Sequence, residues 1–546
     1  MKLALSAVDE MLHSTTVSAS SSSTATLDIT INVAPGIYSG VENVNLQYSN
    51  YSFFDNRSAT IVGPVATITV LGSGIGSTIF DCGCDFLFGS PCTYHNVTRA
   101  FTLNPGGINA ISDLHVRNCG SLPAEASEVI PPARGEMKTK DSRPIADSLN
   151  VGGAILIDSF PTSLASRQAS TTTTTTTISY SKAMNITNIL ITGSFADRGG
   201  ALAIRGTANK VYIKNSAFQQ NRAQYSGGGL HFETTDAIDV SVEIEGGVSI
   251  TESDFYNNSV VYDTGHGGAL SAYGGNDSPD KGGDDPWSRH AKSWNNRLHV
   301  VSTVFRNNSA FMGGAVFSTG VTTIVDPIDT SPEITISDAS NTRLVFDYFD
   351  QCEFLNNKAI AQGGAQAYKY VYGGVKVSNS LYYQNIAIGI SVCPYSDETC
   401  GGAGGAITSV YSPLKLYGSV VEGNGAFSTA EFFPRGGAVF AFYDTHGTKD
   451  PENPESNLMA IEARDTTFQY NAASAASHAL GGAVWVNGGG TMSNCKFYNN
   501  TATSSLHFGQ DANAGGGLYV QRSGMTEGDS NDGYIVLSKS SFVENS

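Results

Sequence analysis

Short runs of alternating or continuous apolar residues recur along the chain, and they predict strands rather than helices. Lys210–Phe218 (KVYIKNSAF) and Tyr534–Phe542 (YIVLSKSSF) are examples, and neither shows the 3.6-residue period of an amphipathic helix. Gly, Asn and Ser, which are typical of turns, separate the runs. The pattern therefore predicts an all-β chain built from many short strands.

An aromatic residue followed three positions later by Asn is the first repeated motif. Its copies are Phe218/Asn221, Phe255/Asn258, Phe305/Asn308, Phe354/Asn357, Tyr382/Asn385, Phe468/Asn471, Phe497/Asn500 and Phe542/Asn545, with Val421/Asn424 as a weaker copy. We expect these asparagines to form a stacked amide ladder at a turn, with each side chain bonding to the coil above.

The position two residues before each aromatic residue (or Val421) always carries a small side chain. These residues are Ser216, Ser253, Thr303, Cys352, Ser380, Ser419, Thr466, Cys495 and Ser540. Because side chains two apart on a strand share a face, we expect two inward columns, one of small and one of aromatic side chains. Cys352 and Cys495 should then be buried and unpaired.

Gly-Gly followed by Ala or Leu is the second repeated motif. It occurs at Gly152, Gly199, Gly228, Gly267, Gly313, Gly363, Gly404, Gly436, Gly481 and Gly516, at intervals of 29 to 50 residues. We expect the glycines to supply a positive φ for a tight turn and to let neighbouring backbones approach closely. The longer intervals would carry inserted loops.

Stacked short strands with repeating columns predict a right-handed parallel β-helix of roughly ten to twelve coils, spaced about 4.8 Å apart. We expect residues 25–546 to form this single β-helix, and residues 1–24 to contain a capping helix at Met1–Leu12 and a Ser/Thr-rich linker. The chain ends inside a repeat at Ser546, so we expect it to be incomplete at that end.

The first coils and the repeats resemble known families. Ile29–Asn45 and Ala66–Asp81 resemble the opening coils of the pectin-lyase-like superfamily of right-handed β-helices, in which an N-terminal helix often caps the stack. The alternating motifs resemble the repeats of chlamydial polymorphic outer membrane proteins and of surface proteins of unicellular eukaryotes. The resemblance implies a β-helix, but the superfamily includes lyases, hydrolases, esterases, epimerases and adhesins, so it does not select a function.

Composition and charge restrict the partners. The chain has 546 residues and a formal net charge of 31 − 49 = −18, with 40% apolar residues. Such a surface repels phosphate backbones, so we expect no nucleic-acid partner. No apolar stretch is long enough to predict a membrane-spanning helix.

The insertion from Tyr273 to Trp294 is the candidate binding site. It contains Tyr273, Asp277, Asp280, Trp287 and Trp294, and aromatic faces beside carboxylates suit sugar binding. Its aspartates could instead bind Ca²⁺, and a solvated acidic loop is the third interpretation. No residue set requires a cofactor or any other metal.

A catalytic alternative uses His266 with Asp284 and Asp285. Gly265-His266-Gly267 and Gly283-Asp284-Asp285 match two motifs of polygalacturonase-like glycosidases, whose paired carboxylates act as acid and base. The two motifs occur in the reverse order here, and His266 lies in a Gly-Gly turn that the repeat already explains. We therefore do not assign a catalytic site.

The cysteines and sequons give mixed evidence on the compartment, because the number of sequons is about what chance would give. Cys393 and Cys400 bracket a short loop and predict a disulfide, while Cys82, Cys84, Cys92 and Cys119 could form two more in an undetermined pairing. Candidate N-glycosylation sites are Asn50, Asn56, Asn96, Asn185, Asn257, Asn276, Asn307 and Asn499.

Two functions remain open after these observations. We favour a secreted or cell-surface β-helical protein with an adhesive or structural role and an extracellular polysaccharide or cell-surface glycan as its partner. The alternative is a polysaccharide-active lyase or glycoside hydrolase with its site near Tyr273–Trp294.

Overall fold

The computed structural model describes a series of separate stretches of the chain. They are residues 5, 7, 26–40, 43, 46–47, 65–84, 99–103, 108–120, 152–158, 183–205, 210–233, 247–261, 264–274, 298–320, 347–369, 371, 374–389, 401–428, 434–443, 459–476, 478–504, 513–521 and 535–546. The chain divides into two compact units: unit 1 is Met1–Thr234 with Ile244–Asn258, and unit 2 is Thr235–Glu243 with Ser259–Ser546.

Unit 1 contains seventeen of the described strands. They are β1 Thr26–Asn32, β2 Gly36–Ser39, β3 Leu46–Gln47, β4 Val65–Leu71, β5 Thr78–Asp81, β6 Phe101–Leu103, β7 Ile108–Arg117, β8 Ile155–Asp158, β9 Met184–Thr192, β10 Phe195–Arg198, β11 Leu202–Arg205, β12 Lys210–Lys214, β13 Ala217–Gln219, β14 Arg222–Ser226, β15 Leu230–Glu233, β16 Gly247–Thr251 and β17 Asp254–Tyr256.

Unit 2 contains thirty of the described strands. They are β18 Ser259–Val260, β19 Leu270–Gly274, β20 Leu298–Val301, β21 Val304–Arg306, β22 Ser309–Met312, β23 Val316–Gly320, β24 Asp347–Asp350, β25 Glu353–Leu355, β26 Lys358–Gln362, β27 Gln366–Lys369, β28 Val375–Ser378, β29 Leu381–Tyr383, β30 Ile386–Gly389, β31 Ile407–Val410, β32 Leu414–Tyr417, β33 Val420–Glu422, β34 Gly425–Ser428, β35 Val439–Phe442, β36 Ile461–Arg464, β37 Thr467–Gln469, β38 Ala472–Ala475, β39 Ala479–Leu480, β40 Val484–Asn487, β41 Gly490–Ser493, β42 Lys496–Tyr498, β43 Thr501–Ser504, β44 Asn513–Ala514, β45 Leu518–Gln521, β46 Ile535–Ser538 and β47 Ser541–Val543.

The strands of each unit form parallel sheets that wind through successive coils, which confirms the parallel β-helix. We call the sheet that carries the aromatic motif the long sheet; in unit 2 it includes β20, β24, β28, β32 and β36, paired in that order with aligned register. The strands after the ten Gly-Gly turns, together with β3 and β6, which lack the motif, form the Gly-Gly sheet, with five strands in unit 1 and seven in unit 2 among the described residues. Those twelve strands agree with the predicted number of coils.

In the coils from β12 onward, two tight corners bracket the aromatic strand, and each corner has two residues. In the coil of Phe354, the corners are Gln351-Cys352 and Asn356-Asn357, and the first residue of each has a positive φ, 53° and 54°. Asn adopts this left-handed conformation more readily than most residues, which explains its frequency there. The small residue is therefore the second residue of a corner, and not a strand position as the two-residue period suggested.

Inward aromatic side chains stack from coil to coil. Phe218 and Phe255 stack in unit 1 with ring centroids 4.7 Å apart. In unit 2, Phe354 lies between Phe305 at 5.0 Å and Tyr382 at 4.7 Å, and all three are buried. Each buried ring contributes on the order of 2–3 kcal/mol by leaving water, and each stacked pair adds about 1 kcal/mol.

The corner asparagines hydrogen-bond from coil to coil. Asn385 Nδ2 donates to Asn424 Oδ1 at 2.9 Å and to the Phe354 carbonyl at 2.8 Å, while its own Oδ1 accepts from the Asn357 backbone N–H at 3.0 Å. Pairs with the same geometry are Asn221/Asn258 in unit 1 and Asn308/Asn357, Asn357/Asn385, Asn424/Asn471 and Asn471/Asn500 in unit 2.

Asn545 makes the same bonds to the preceding coils as the other ladder asparagines. Its Oδ1 accepts from Asn500 Nδ2 at 2.8 Å, and its Nδ2 donates to the Phe497 carbonyl at 3.0 Å. It is half-buried, whereas Asn500 is fully buried.

The small corner residues also hydrogen-bond across coils, which the sequence did not predict. The Ser380 hydroxyl donates to the Ser378 carbonyl at 2.7 Å and accepts from the Cys352 N–H at 3.1 Å. Ser380 in turn donates its backbone N–H to the Ser419 hydroxyl at 3.2 Å. Small polar side chains recur here because they satisfy backbone groups that the bend removes from the sheet.

The two glycines of each Gly-Gly turn have different structural roles. Gly363 has a φ of 62°, and a Cβ on Gly364 would lie 2.0 Å from the Gly405 carbonyl oxygen of the next coil. The first glycine therefore permits the turn, and the second permits the close approach of two backbones. In two coils the motif starts one residue earlier than the sequence suggested, because Gly227 and Gly515 have the positive φ.

The connection from the Gly-Gly sheet back to the long sheet varies in length, whereas the two corners of the coils from β12 onward do not. It has 2 residues between β40 and β41, 4 between β11 and β12, and 26 between β23 and β24. The irregular intervals between Gly-Gly pairs thus arise mainly at this one connection.

Cys82 and Cys119 form a disulfide, and Cys84 is disulfide-bonded as well. Cys352 and Cys495 are buried free thiols, which confirms the expectation for them, and burial raises the pKa of Cys352 to about 12. Cys92, Cys393 and Cys400 lie outside the described residues.

At the N-terminus, Leu5 and Ala7 are helical and Leu5 is buried, while the rest of the predicted capping helix lies outside the described residues. The boundary predicted between residues 24 and 25 stays a prediction. Among the described residues, none forms a helix that could cross a membrane.

Candidate functional site

The candidate loop of the sequence analysis is described only at its start. Tyr273 lies at the end of β19, whereas Asp277, Asp280, Asp284, Asp285, Trp287 and Trp294 lie outside the described residues. The structure does bring Tyr273 together with His266, the histidine of the catalytic alternative. Both belong to unit 2.

His266 packs among aromatic side chains. Its Nδ1 lies 2.7 Å from the Tyr273 hydroxyl, and its ring stacks on Phe317 with centroids 4.3 Å apart. Burial, assisted by the nearby Lys369, lowers the pKa of His266 to about 3. The imidazole is therefore neutral near pH 7, and its contacts are those of a residue that fills space above the Gly-Gly turn.

A serine, a histidine and a glutamate also meet in unit 1, on β14 and β15. Ser226 Oγ lies 3.1 Å from His231 Nδ1, and His231 Nε2 lies 3.5 Å from Glu233 Oε2. Burial of Glu233 favours its neutral form, but His231, Arg198 and Arg205 outweigh burial and lower the pKa of Glu233 to about 2.

This set resembles a nucleophilic triad in composition, but its serine and histidine are not accessible to a substrate. Ser226 is 2% exposed and His231 is 0% exposed, whereas the glutamate side chain is the exposed member. A nucleophile must reach its substrate, so the arrangement does not provide a nucleophilic site. Its polar contacts instead satisfy buried groups on the Gly-Gly sheet.

The outer face of the long sheet in unit 2 carries a distinctive cluster of half-buried and exposed side chains. We call it the tyrosine–cation patch, and it consists of His299, Tyr348, Lys376, Lys415, Tyr417, Glu462 and Arg464. These residues come from five consecutive strands, β20, β24, β28, β32 and β36. Alternation along each strand points them away from the buried core, for example away from Phe349 and Leu416.

Aromatic rings and cations alternate across the patch. The His299 and Tyr348 rings stack with centroids 5.2 Å apart, and Lys376 Nζ lies 5.4 Å from the Tyr348 ring and 5.7 Å from the Tyr417 ring. Arg464 lies over Tyr417 as well, at 5.6 Å. Such cation–ring contacts hold flexible cationic side chains in place, because the ring face attracts positive charge.

Carboxylates hold the two tyrosines and two of the cations. Glu462 contacts Arg464, and its Oε2 lies 4.0 Å from Lys415 Nζ. Partial burial and the neighbouring Glu462 raise the pKa of Tyr417 to about 12, and burial and Asp350 likewise raise the pKa of Tyr348. Both side chains are therefore neutral phenols near pH 7.

The predicted ladder asparagines are structural, and none of them belongs to the patch. Asn221, Asn258, Asn308, Asn357, Asn385, Asn424, Asn471 and Asn500 are buried at 1% exposure or less. Asn545 is half-buried and bonds to Asn500 and to the Phe497 carbonyl.

No group of three or more His, Cys, Asp or Glu side chains suited to a metal ion occurs in the part of the chain that the structure describes. Of the candidate glycosylation sites, Asn257 and Asn307 are exposed corner residues, Asn499 is a half-buried corner residue and Asn185 is exposed on β9. Asn50, Asn56, Asn96 and Asn276 lie outside the described residues.

Sequence reasoning missed the tyrosine–cation patch. Its aligned members lie 28 to 49 residues apart from one strand to the next, so nothing local connects them. The signal is present only after the coils are aligned on their Asn and Gly-Gly motifs, when the outward positions of the first strand can be compared.

Comparisons with known proteins give little further information. No protein-family model matches the chain, and no curated protein does. A solved structure that matches is the A-module of a mannuronan C-5 epimerase from Azotobacter vinelandii, with 10% sequence identity, 95% of this chain and 93% of that chain covered, and a TM-score of 0.21. A TM-score this low carries no argument about function.

Proposed function

We propose that the protein is a secreted or cell-surface β-helical protein that binds glycans without catalysis, through the tyrosine–cation patch of unit 2. The observation that carries this proposal is the pair Tyr348 and Tyr417, whose rings lie on the outer face of a sheet and are flanked by cations. Tyrosine rings stack on the apolar faces of sugars, while cations and phenols bond to hydroxyl or acidic groups.

The fold supports this function by holding the patch rigid. Each patch residue lies on a strand whose inner face is fixed by buried side chains such as Phe349 and Leu416. A preformed surface loses little conformational entropy on binding, so several weak contacts along it add up. This suits an adhesive or structural role.

The extracellular setting is supported by the disulfide Cys82–Cys119 and by the resemblance of the repeats to chlamydial polymorphic outer membrane proteins and the pectin-lyase-like superfamily. Ca²⁺ remains a candidate ligand of the aspartates after Tyr273. We propose no other cofactor.

The test is binding to a panel of plant, algal and microbial polysaccharides, with and without Ca²⁺. We expect the double variant Tyr348→Ala/Tyr417→Ala to bind at least about tenfold more weakly, because two stacking faces are lost. The matched control is Tyr383→Ala/Tyr498→Ala, two outward tyrosines on β29 and β42 of the same sheet. Equal binding by both double variants would overturn the proposal.

The same incubations measure released oligosaccharide. Product that disappears on Asp284→Asn/Asp285→Asn, with binding retained, would favour the polysaccharide-active enzyme instead. Binding that depends on the patch without any product supports the non-catalytic function.

A further inference from the structure

We infer that the interior of unit 2 contains a hydration site, in which an ordered water molecule bonds to the side chains of Gln366 and Tyr368 on β27. Three observations carry this inference: two buried polar groups that lack a protein partner, a nearby buried carboxylate, and small side chains in the adjacent coils. The site is independent of glycan binding, because it lies inside the β-helix whereas the tyrosine–cation patch lies on its outer face.

Gln366 is a buried amide in a column of apolar side chains. Its aligned neighbours in the two adjacent coils are Val316 and Ile407, and Gln366 itself is 0% exposed. Its Oε1 accepts a hydrogen bond from the Tyr382 hydroxyl at 2.6 Å, whereas its Nε2 has no hydrogen-bond partner among the described residues. Exchanging the two amide atoms would leave the oxygen unpaired instead, so the amide needs a further partner in either orientation.

The Tyr368 hydroxyl is the second buried group of this kind. Tyr368 lies two residues after Gln366, so both side chains point to the same inner face of the strand. Tyr368 is 0% exposed, and its hydroxyl has no hydrogen-bond partner in the part of the chain that the structure describes. Buried polar groups without a protein partner are the groups to which internal water bonds. One water molecule can accept hydrogen bonds from both the amide and the phenol.

Asp347 supplies an acceptor for the hydrogens of this water. It lies at an inward position of β24, aligned with Val375 of the next coil, and its Oδ2 accepts from the Ser318 hydroxyl at 2.6 Å. Burial raises the pKa of Tyr368 well above its usual value, and the nearby charges of Tyr382 and Asp347 raise it further. The phenol is therefore a neutral donor close to Asp347, and a carboxylate accepts several hydrogen bonds at once.

Small side chains in the adjacent coils leave room beside these polar groups. The residues aligned with Tyr368 in the coils before and after it are Ser318 and Ser409. In the aromatic column, Tyr382 is followed by Val421 instead of another ring. Internal water occupies sites that are both polar and roomy, and this coil of unit 2 meets both conditions.

The first test is a high-resolution crystal structure of the protein. We expect an electron-density peak within about 2.7–3.2 Å of both Gln366 Nε2 and the Tyr368 hydroxyl oxygen. The inference is overturned by a map that shows ordered surface water but no such peak. A peak with the anomalous signal of a metal ion would overturn it as well, because the ligand would then be a cation.

The second test is the denaturation midpoint of Tyr368→Phe, whose sign separates a hydrated site from a dry one. With water bound, the variant removes a hydrogen bond that the water makes, so we expect the midpoint to fall. In a dry site the same change would remove an unpaired buried hydroxyl, and the midpoint would rise. The matched control is Tyr383→Phe, an outward tyrosine on β29, for which we expect no shift.

A midpoint that rises or stays unchanged in Tyr368→Phe would overturn the inference. The triple variant Gln366→Leu/Tyr368→Phe/Tyr382→Phe removes the amide and both hydroxyls, and leaves none of the three unpaired. We expect its crystal structure to lack the density peak, because an apolar site does not hold water. A peak that persists there would show that other groups bind the water, and would overturn the assignment to Gln366 and Tyr368.

Discussion

The long sheets of the two units are alike inside and different outside. Their inward positions carry the same aromatic and corner residues, as Phe218 and Phe255 in unit 1 and Phe305 and Phe354 in unit 2 show. In one outward column of unit 1, the aligned residues are Thr30, Thr69, Ala110, Asn185, Tyr212 and Ser249, and the outward cations beside Tyr212, Lys210 and Lys214, lie on its own strand β12. In unit 2, the outer face carries the tyrosine–cation patch.

The difference separates what the fold requires from what it permits. An inward side chain must match its neighbours in adjacent coils, because it packs against them and shares their hydrogen bonds. An outward side chain has no such restriction. A cluster in which aromatic rings and cations alternate over five strands is therefore not a by-product of the repeat, which is why we propose a function for it.

The largest expected effect comes from substituting the ladder asparagines, which both units contain in their interior. Asn385→Ala in unit 2 and Asn221→Ala in unit 1 each remove an amide that serves two neighbouring coils and leave buried backbone groups such as the Phe354 carbonyl unpaired. We expect each to lower the free energy of unfolding by about 3 kcal/mol. Chemical denaturation measures this, and Asn185→Ala, at an exposed site, is the control. A loss under about 1 kcal/mol at either ladder position would contradict the ladder's role.

A second expected effect concerns the decrease of the unfolding free energy at low pH. Burial lowers the pKa of His266 in unit 2 to about 3, and burial with the Arg117 charge lowers the pKa of His115 in unit 1 to about 4, both from 6.5. Between these values and pH 6.5 the unfolded chain binds more protons, so stability falls as pH falls through that window. We expect His266→Phe to flatten the dependence of the unfolding free energy on pH between about 6.5 and 3.

The phenylalanine in that variant retains the stack on Phe317, so a general loss of packing is a separate outcome. An unchanged slope in His266→Phe would show that His266 titrates normally in the folded protein. His115→Phe should flatten a narrower window, which ends near pH 4.

The smallest expected effect comes from placing a lysine in unit 1 at the position that corresponds to Lys376 of unit 2. Ser249 follows Tyr212 in the same outward column of unit 1, just as Lys376 follows Tyr348 in unit 2. We expect Ser249→Lys, in a protein that carries Tyr348→Ala/Tyr417→Ala, to restore about twofold of the lost glycan binding. Ser249→Ala is the control, and equal binding by both would show that one ring and one cation are not sufficient.

The interior could be predicted from the sequence because it repeats. The three-residue spacing between an aromatic residue and Asn, as in Phe354 and Asn357, recurs in successive coils. The sequence alone therefore indicates that the copies of each residue share one environment. The bend at Gln351-Cys352 was not expected, because a two-residue period is consistent with a strand through that point.

The site could not be predicted in the same way. Tyr348, Lys376 and Tyr417 meet across three coils, and their alignment depends on connections of unequal length between them. Sequence reasoning turned instead to His266 and Tyr273, which lie in one stretch of chain. Those two residues do meet, but Phe317, which arrives from the next coil, encloses them in a packed cluster.

Because the connection from the Gly-Gly sheet to the long sheet can vary in length, each coil is a unit that can be inserted or removed as a whole. Because β40 reaches β41 in 2 residues and β23 reaches β24 in 26, a coil begins and ends at adjacent points of the stack whatever the length of this link. Duplication or loss of a whole coil would therefore leave the Asn and aromatic columns in phase. Such a chain can change the length of its long sheet by recombination alone, with the same interior contacts.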